Sequence, residues 1–137
     1  MNKKLMIIGA ILLCAIIFIA VELLFFKASS PDRTVLKFAN EMNKHCPLMI
    51  DFETRLDKVS ALADNTLHFN YTLIYHDKDS IPVEHLKNYL EPVIMNKIKT
   101  SETLSKFLDK NLTWIYSYND KRGNLIFNIS FTSEQFK

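Results

Sequence analysis

Glycine is almost missing from this chain: Gly9 and Gly123 are the only two in 137 residues. A loop that cradles phosphate needs clustered glycines so that several backbone N–H groups can close on one anion. No such cluster exists. Cysteine is scarce as well, and because Cys14 lies in an apolar run while Cys46 lies far beyond its end, the pair cannot staple a domain. Charge of one sign is missing too: with Lys3, Lys4, Lys27 and Glu22 set aside, 14 basic residues face 14 acidic ones from Ala28 onward. A domain without a basic block cannot neutralise nucleic-acid phosphates, so that class of partner is excluded.

Histidine spacing argues against a metal. His68 and His76 share a strand parity, but eight residues at about 3.3 Å hold them roughly 26 Å apart. His45 and Cys46 are adjacent, a spacing that rarely turns two side chains onto one ion, and no second pair stands at zinc-like spacing. No cofactor, metal or catalytic residue is therefore expected, and the chain does not read as an enzyme. The three Asn-x-Ser/Thr triplets at Asn70, Asn111 and Asn128 read as chance in a chain rich in lysine, asparagine and isoleucine. That bias suggests a bacterial source.

What is present begins with an apolar run from Leu5 to Phe26, interrupted only by Glu22. It exceeds the apolar core of a cleavable signal, about 7–15 residues, and is long enough as a helix to cross a hydrocarbon layer about 30 Å thick. Cys14 follows Leu13, not a small residue, so a lipoprotein signal does not fit. The expectation is a transmembrane signal-anchor over residues 1–27, in contact with the lipid bilayer through Leu5–Phe26. The basic tail of Lys3 and Lys4 places the amino terminus in the cytoplasm. The chain is then a single-pass protein of the bacterial inner membrane, with a linker over residues 28–33 and a periplasmic domain over 34–137.

Within that domain, Val35, Phe38, Ala39 and Met42 recur at helical spacing behind Asp32 or Thr34 as a cap. Pro47 sends the chain out extended. A strand is expected between Met49 and Ala63, then a tight turn at Asp64-Asn65, then a strand in which Leu67, Phe69, Tyr71, Leu73 and Tyr75 alternate with polar residues. Pro82 suits a first helical turn, and Val83, Leu86, Leu90, Val93 and Ile94 make an apolar stripe that Pro92 is expected to break or kink. Ser101 caps a further helix ending at Asn111. A second hairpin sets Trp114, Tyr116 and Tyr118 against Leu125, Phe127, Ile129 and Phe131, with Gly123 in the turn. The order α-β-β-α-α-β-β implies an α+β domain: an N-terminal transmembrane helix, then a small antiparallel sheet of two hairpins with helices packed on one face.

Two features are candidates for function. The charged alternation Asp51, Glu53, Arg55 and Asp57 reads as an edge strand, where Arg55, Asp57 and Asp51 would contact a partner. Cys46, beside His45, is a thiol that is either buried or reactive. The segment NKHCPLMIDFETRLD from Asn43 to Asp57, with YTL at Tyr71 to Leu73, resembles a pattern of small uncharacterised membrane-anchored bacterial envelope proteins. The resemblance implies envelope exposure and carries over no activity or site. The function expected is protein–protein contact by the extracytoplasmic domain, as an accessory of an envelope assembly, with homo-oligomers as a further option. An envelope immunity or inhibitor protein that blocks a toxin or lytic enzyme is the alternative, and an anchored hydrolase using Cys46 is a third reading.

Overall fold

The computed structural model describes residues 2–25 and 29–137. Its elements are α1 (Lys3–Phe25), α2 (Arg33–Asn43), β1 (Leu48–Met49), β2 (Thr54–Leu62), β3 (Thr66–Leu73), α3 (Val83–Thr100), β4 (Thr113–Asn119) and β5 (Leu125–Thr132). Short 3-10 turns cover Lys78–Ser80, Ser105–Lys110 and Ser133–Phe136.

The membrane span expected over Leu5–Phe26 is overturned: among the described residues no helix is long and apolar enough to cross a membrane. Helix α1 takes in Lys3 and Lys4 at its start and Glu22 near its end. Between these charges only residues 5–21 are uninterrupted, roughly 25 Å at about 1.5 Å per residue, which falls short of a layer about 30 Å thick. The single-pass inner-membrane placement and the bilayer contact through Leu5–Phe26 lose their support with it. Phe26, Lys27 and Ala28, which end that run and begin the expected linker, lie outside the described residues.

The sheet corrects a second expectation. Its five strands lie in the order β1-β2-β3-β4-β5, and although the outer pairs are antiparallel, β3 and β4 are parallel. The sheet is mixed. Each hairpin follows from its own turn, but the long connection through α3 returns the chain to the end where β3 began, so β4 must run the same way. Asn119 Nδ2 donates to the Tyr71 carbonyl at 3.1 Å and stitches the far end of that parallel pair. The expected strand from Met49 to Ala63 is interrupted at Ile50–Glu53, which leaves β1 only two residues long. Asp64 and Asn65 take φ of 56° and 50°, left-handed positions within the three-residue loop, Ala63 to Asn65, that joins β2 to β3.

One face of the sheet is the core. Leu56, Val59, Leu67, Phe69, Trp114, Ile129 and Phe131 are all buried there, and stacked rings run across it: Phe69 on Tyr116 at 4.8 Å, Tyr71 on Tyr118 at 5.1 Å, Tyr118 on Phe127 at 4.9 Å. Helix α2 buries Val35 and Ala39 over β2, with Phe38 against Phe69 and Phe107. Asp32 caps it, accepting from Thr34 N at 2.7 Å and Val35 N at 3.3 Å. Helix α3 buries Ile94 and Ile98 on the β5 side. It runs unbroken through Pro92, against expectation. Pro92 and Asn88 are both exposed, so water can reach the carbonyl that the proline leaves without its helical donor.

Because β1 is so short, the outer edge of β2 would leave the amide groups of Val59 bare. Asn43 takes the place of a strand: its Nδ2 donates to Val59 O at 2.7 Å and its Oδ1 accepts from Val59 N at 2.8 Å. Removing that side chain deletes two hydrogen bonds worth about 0.5–1.5 kcal/mol each and strands a buried amide. Asn43→Ala should therefore lower the unfolding free energy by about 2–3 kcal/mol in urea titrations, while Lys44→Ala, which breaks only the exposed pair with Glu41, should change it by less than about 0.5 kcal/mol.

Candidate functional site

Neither α2 nor α3 covers the end of the sheet where β2 begins and β3 finishes. The result is an open cleft of about 690 Å³, walled by the Ile50–Thr54 loop on one side and α3 on the other, with Tyr71, Leu73, Tyr116 and Tyr118 on its floor. Its walls carry side chains that a folded domain normally hides. Phe52 is 78% exposed and Tyr89 65%, with Ile50 and Val93 beside them also open to solvent. Exposed apolar groups gathered this way around one concavity are uncommon on a folded domain.

The loop wall is held in shape by Asp51, whose Oδ1 accepts from Glu53 N and Thr54 N, each at 2.8 Å. Burial pushes this carboxyl up, but the hydrogen bonds from Glu53 and Thr54 outweigh it and keep it below the ordinary carboxylate range. Glu53 reaches His76 Nε2 at 3.3 Å across the cleft mouth. The turn after β4 is held by Asp120, which is wholly buried and accepts from Lys78 N, Arg122 N, Asn124 N and Asn124 Nδ2. Burial alone would raise its pKa; four donors hold it at about 2 instead. Asp77 adds ion pairs to Lys121 at 2.7 Å and Arg122 at 2.8 Å, tying the same two loops together.

The residues singled out by sequence fall in three places. Asp51 lines the cleft. Arg55 and Asp57 do not: they pair with each other at 2.5 Å on the opposite face, where Asp57, the extra residue of a bulge in β2, also accepts from Thr72 Oγ1 at 2.5 Å. Cys46 is half-buried, its Sγ 3.4 Å from the Met42 carbonyl, and burial, with Asp57 as a lesser cause, pushes its thiol pKa up. His68 Nε2 meets Ser117 Oγ at 2.6 Å, and that hydroxyl donates to Asn128 Oδ1 at 2.7 Å on the open face. Burial lowers the His68 pKa, so this chain of polar groups is neutral at neutral pH. Among the described residues no cluster of metal-ligating side chains exists.

Sequence reasoning passed over Ile50, Phe52, Tyr89 and the three floor tyrosines. A signal was there: Phe52 sits between Asp51 and Glu53, an aromatic in a charged turn, and the stripe on α3 is wider than one packed face needs. Val93 belonged to that stripe and stands 47% exposed.

Fold and cleft together define a two-layer α+β domain with an apolar opening between its layers. The chain belongs to the family described as a domain of unknown function, DUF8479, which matches residues 29–127. No curated protein sequence matches it. Among solved structures it is similar to a protein of Pseudomonas aeruginosa described as a candidate secreted protein, with TM-score 0.63 and 12% identity over 77% of this chain and 91% of that one. It is similar also to the pilotin EpsS of the Vibrio vulnificus type 2 secretion system, with TM-score 0.60 and 15% identity over 76% and 89%. The type II secretion pilotin AspS of Vibrio cholerae follows, with TM-score 0.56 and 15% identity over 74% and 87%. At these identities the likeness is one of fold.

Two measurements test the environments of Asp120 and Cys46. Because the Asp120 pKa is depressed in the folded state, its stabilising effect is complete above the unfolded value near 3.9 and is lost as pH falls toward about 2. Asp120→Asn should lower the melting temperature at pH 7 and flatten its fall between pH 4 and pH 2. Cys46, held as a protonated and partly covered thiol, should react with iodoacetamide at pH 7.5 well below the rate of a free cysteine peptide, and at that peptide's rate only after unfolding.

Proposed function

We propose that this domain is a non-catalytic docking module of a bacterial envelope assembly, and that it holds an apolar segment of a partner protein in the cleft beside α3. The observation that carries the reading is the exposed pairing of Phe52 on the loop wall with Tyr89 and Val93 on the helix wall. These groups face each other across open space with a rigid aromatic floor beneath, an arrangement suited to a buried anchor side chain with a polar rim. The pilotin fold of the Vibrio proteins supports placing the partner in secretion machinery.

Geometry favours the same use. Ser29 exchanges hydrogen bonds of 3.3 Å with Asp64 at the β2–β3 turn, so the chain enters the domain at the pole opposite the cleft, roughly 23 Å away along β3. Asp51, on the cleft wall, is the partner-contact residue retained from the sequence. Arg55 and Asp57, engaged with each other on the far face, would serve a second and separate contact.

A photoreactive amino acid placed at position 52 or 89 in living cells tests the reading. The expected product is an adduct with a component of an envelope secretion assembly, lost when Val93→Asp is added, with the melting temperature of that variant within a few degrees of the parent. Adducts only with unrelated proteins, or adducts unaffected by Val93→Asp, would overturn it.

A further inference from the structure

The floor of the cleft is not purely apolar. Tyr71, Tyr116 and Tyr118 are each between 5% and 9% exposed, yet among the described residues none of their hydroxyls has a hydrogen-bond partner. None of the three is sealed off, because Trp114 Nε1 is the one side-chain polar atom that is both fully buried and unpaired there. What surface these tyrosines keep opens on the cleft that they line. Burial, with the neighbouring phenols or the carboxylate of Asp51, pushes all three pKa values up. Each therefore stays an O–H that can both donate and accept. No protein group satisfies these three phenols, so an occupant that displaces the water from the cleft must supply their hydrogen bonds itself or leave buried polar groups unpaired.

The helix wall shows the shape that fits above them. His85, Tyr89, Val93 and Lys97 all line the cleft and stand four residues apart, forming one i±4 ridge of α3. Such a ridge packs into the groove of another helix. Over this part of the sheet the helix layer has no member, because α2 lies on β2 and α3 packs on the β5 side. From His85 to Lys97 the ridge rises through twelve residue steps, about 18 Å, which matches a helix of about three turns. Charge separates the two rims, with Asp51 and Glu53 on the loop and Lys97 on α3.

Building on the docking reading above, we infer that the partner segment is a helix of about three turns whose apolar face is broken by one uncharged amide side chain, Asn or Gln, seated on Tyr71, Tyr116 and Tyr118. An amide oxygen accepts two phenol protons while its NH₂ group donates to a third phenol oxygen. A carboxylate would meet the Asp51 charge beside Tyr118. A serine or threonine is too short and tends to bond back to its own helix.

The test uses fluorescent synthetic helices of about sixteen residues with a leucine and alanine apolar face, carrying Asn, Leu or Asp at the central apolar position. Each is titrated by anisotropy against the full-length chain and against a Y71F/Y116F/Y118F variant. The parent should bind the Asn helix about tenfold more tightly than the Leu helix, and the variant should lose or reverse that preference, as expected for one or two net hydrogen bonds. If the triple variant does not fold, Tyr71→Phe alone should move the Asn-to-Leu ratio in the same direction. An equal ratio for parent and variant, or a preference for the Asp helix, overturns this inference while leaving the docking reading intact. Failure of the parent to bind any of the three helices overturns both.

Discussion

The stacking of aromatic rings across β3, β4 and β5 is the constraint on which the rest of this domain depends. Parallel strands cannot be joined by a tight turn, so nothing local fixes how β3 lies against β4. The rings do so: Phe69 stacks on Tyr116, Tyr71 on Tyr118, and Tyr118 on Phe127, matching the register in which Phe69 faces Tyr116 and Tyr71 faces Tyr118. A shift of one residue would turn every ring to the opposite face and replace it with Asn70, Thr72 or Ser117. At one end of the ladder α2 closes over Phe69 through Phe38. At the other end α3 stands to one side as a wall, and the same ladder becomes the floor of the cleft.

Much of this was readable from residue order. The cap at Asp32, the turn at Asp64-Asn65, and the alternation from Leu67 to Leu73 all follow from local chemistry, and each stands where that chemistry puts it. The parallel pairing was not readable, because the direction of β4 depends on where α3 delivers the chain, which no single segment encodes. Pro92 misled for a related reason: its cost depends on whether water reaches the carbonyl of Asn88, a property of exposure and not of sequence. The run from Leu5 misleads because its full length includes Glu22, which leaves only residues 5–21 free of charge.

The cleft was the least legible part. Its walls come from residues 50–54 and from α3, some thirty positions apart, and Tyr89 and Phe52 carry no motif. Arg55 and Asp57 drew notice because charge alternates there, and the bulge at Asp57 turned them to the face that the cleft does not use. What a sequence shows plainly is which residues are unusual. Which of them meet is decided by the fold.

Ser29 joins the domain at the Asp64 turn, and the cleft opens at the far tips of the same strands. Any pull between the leading segment and a molecule lodged in the cleft is thus directed lengthwise along β2 and β3. Tension in that direction loads the rungs between strands side by side and in shear, so they resist together. Force applied across the sheet would instead peel them apart one at a time.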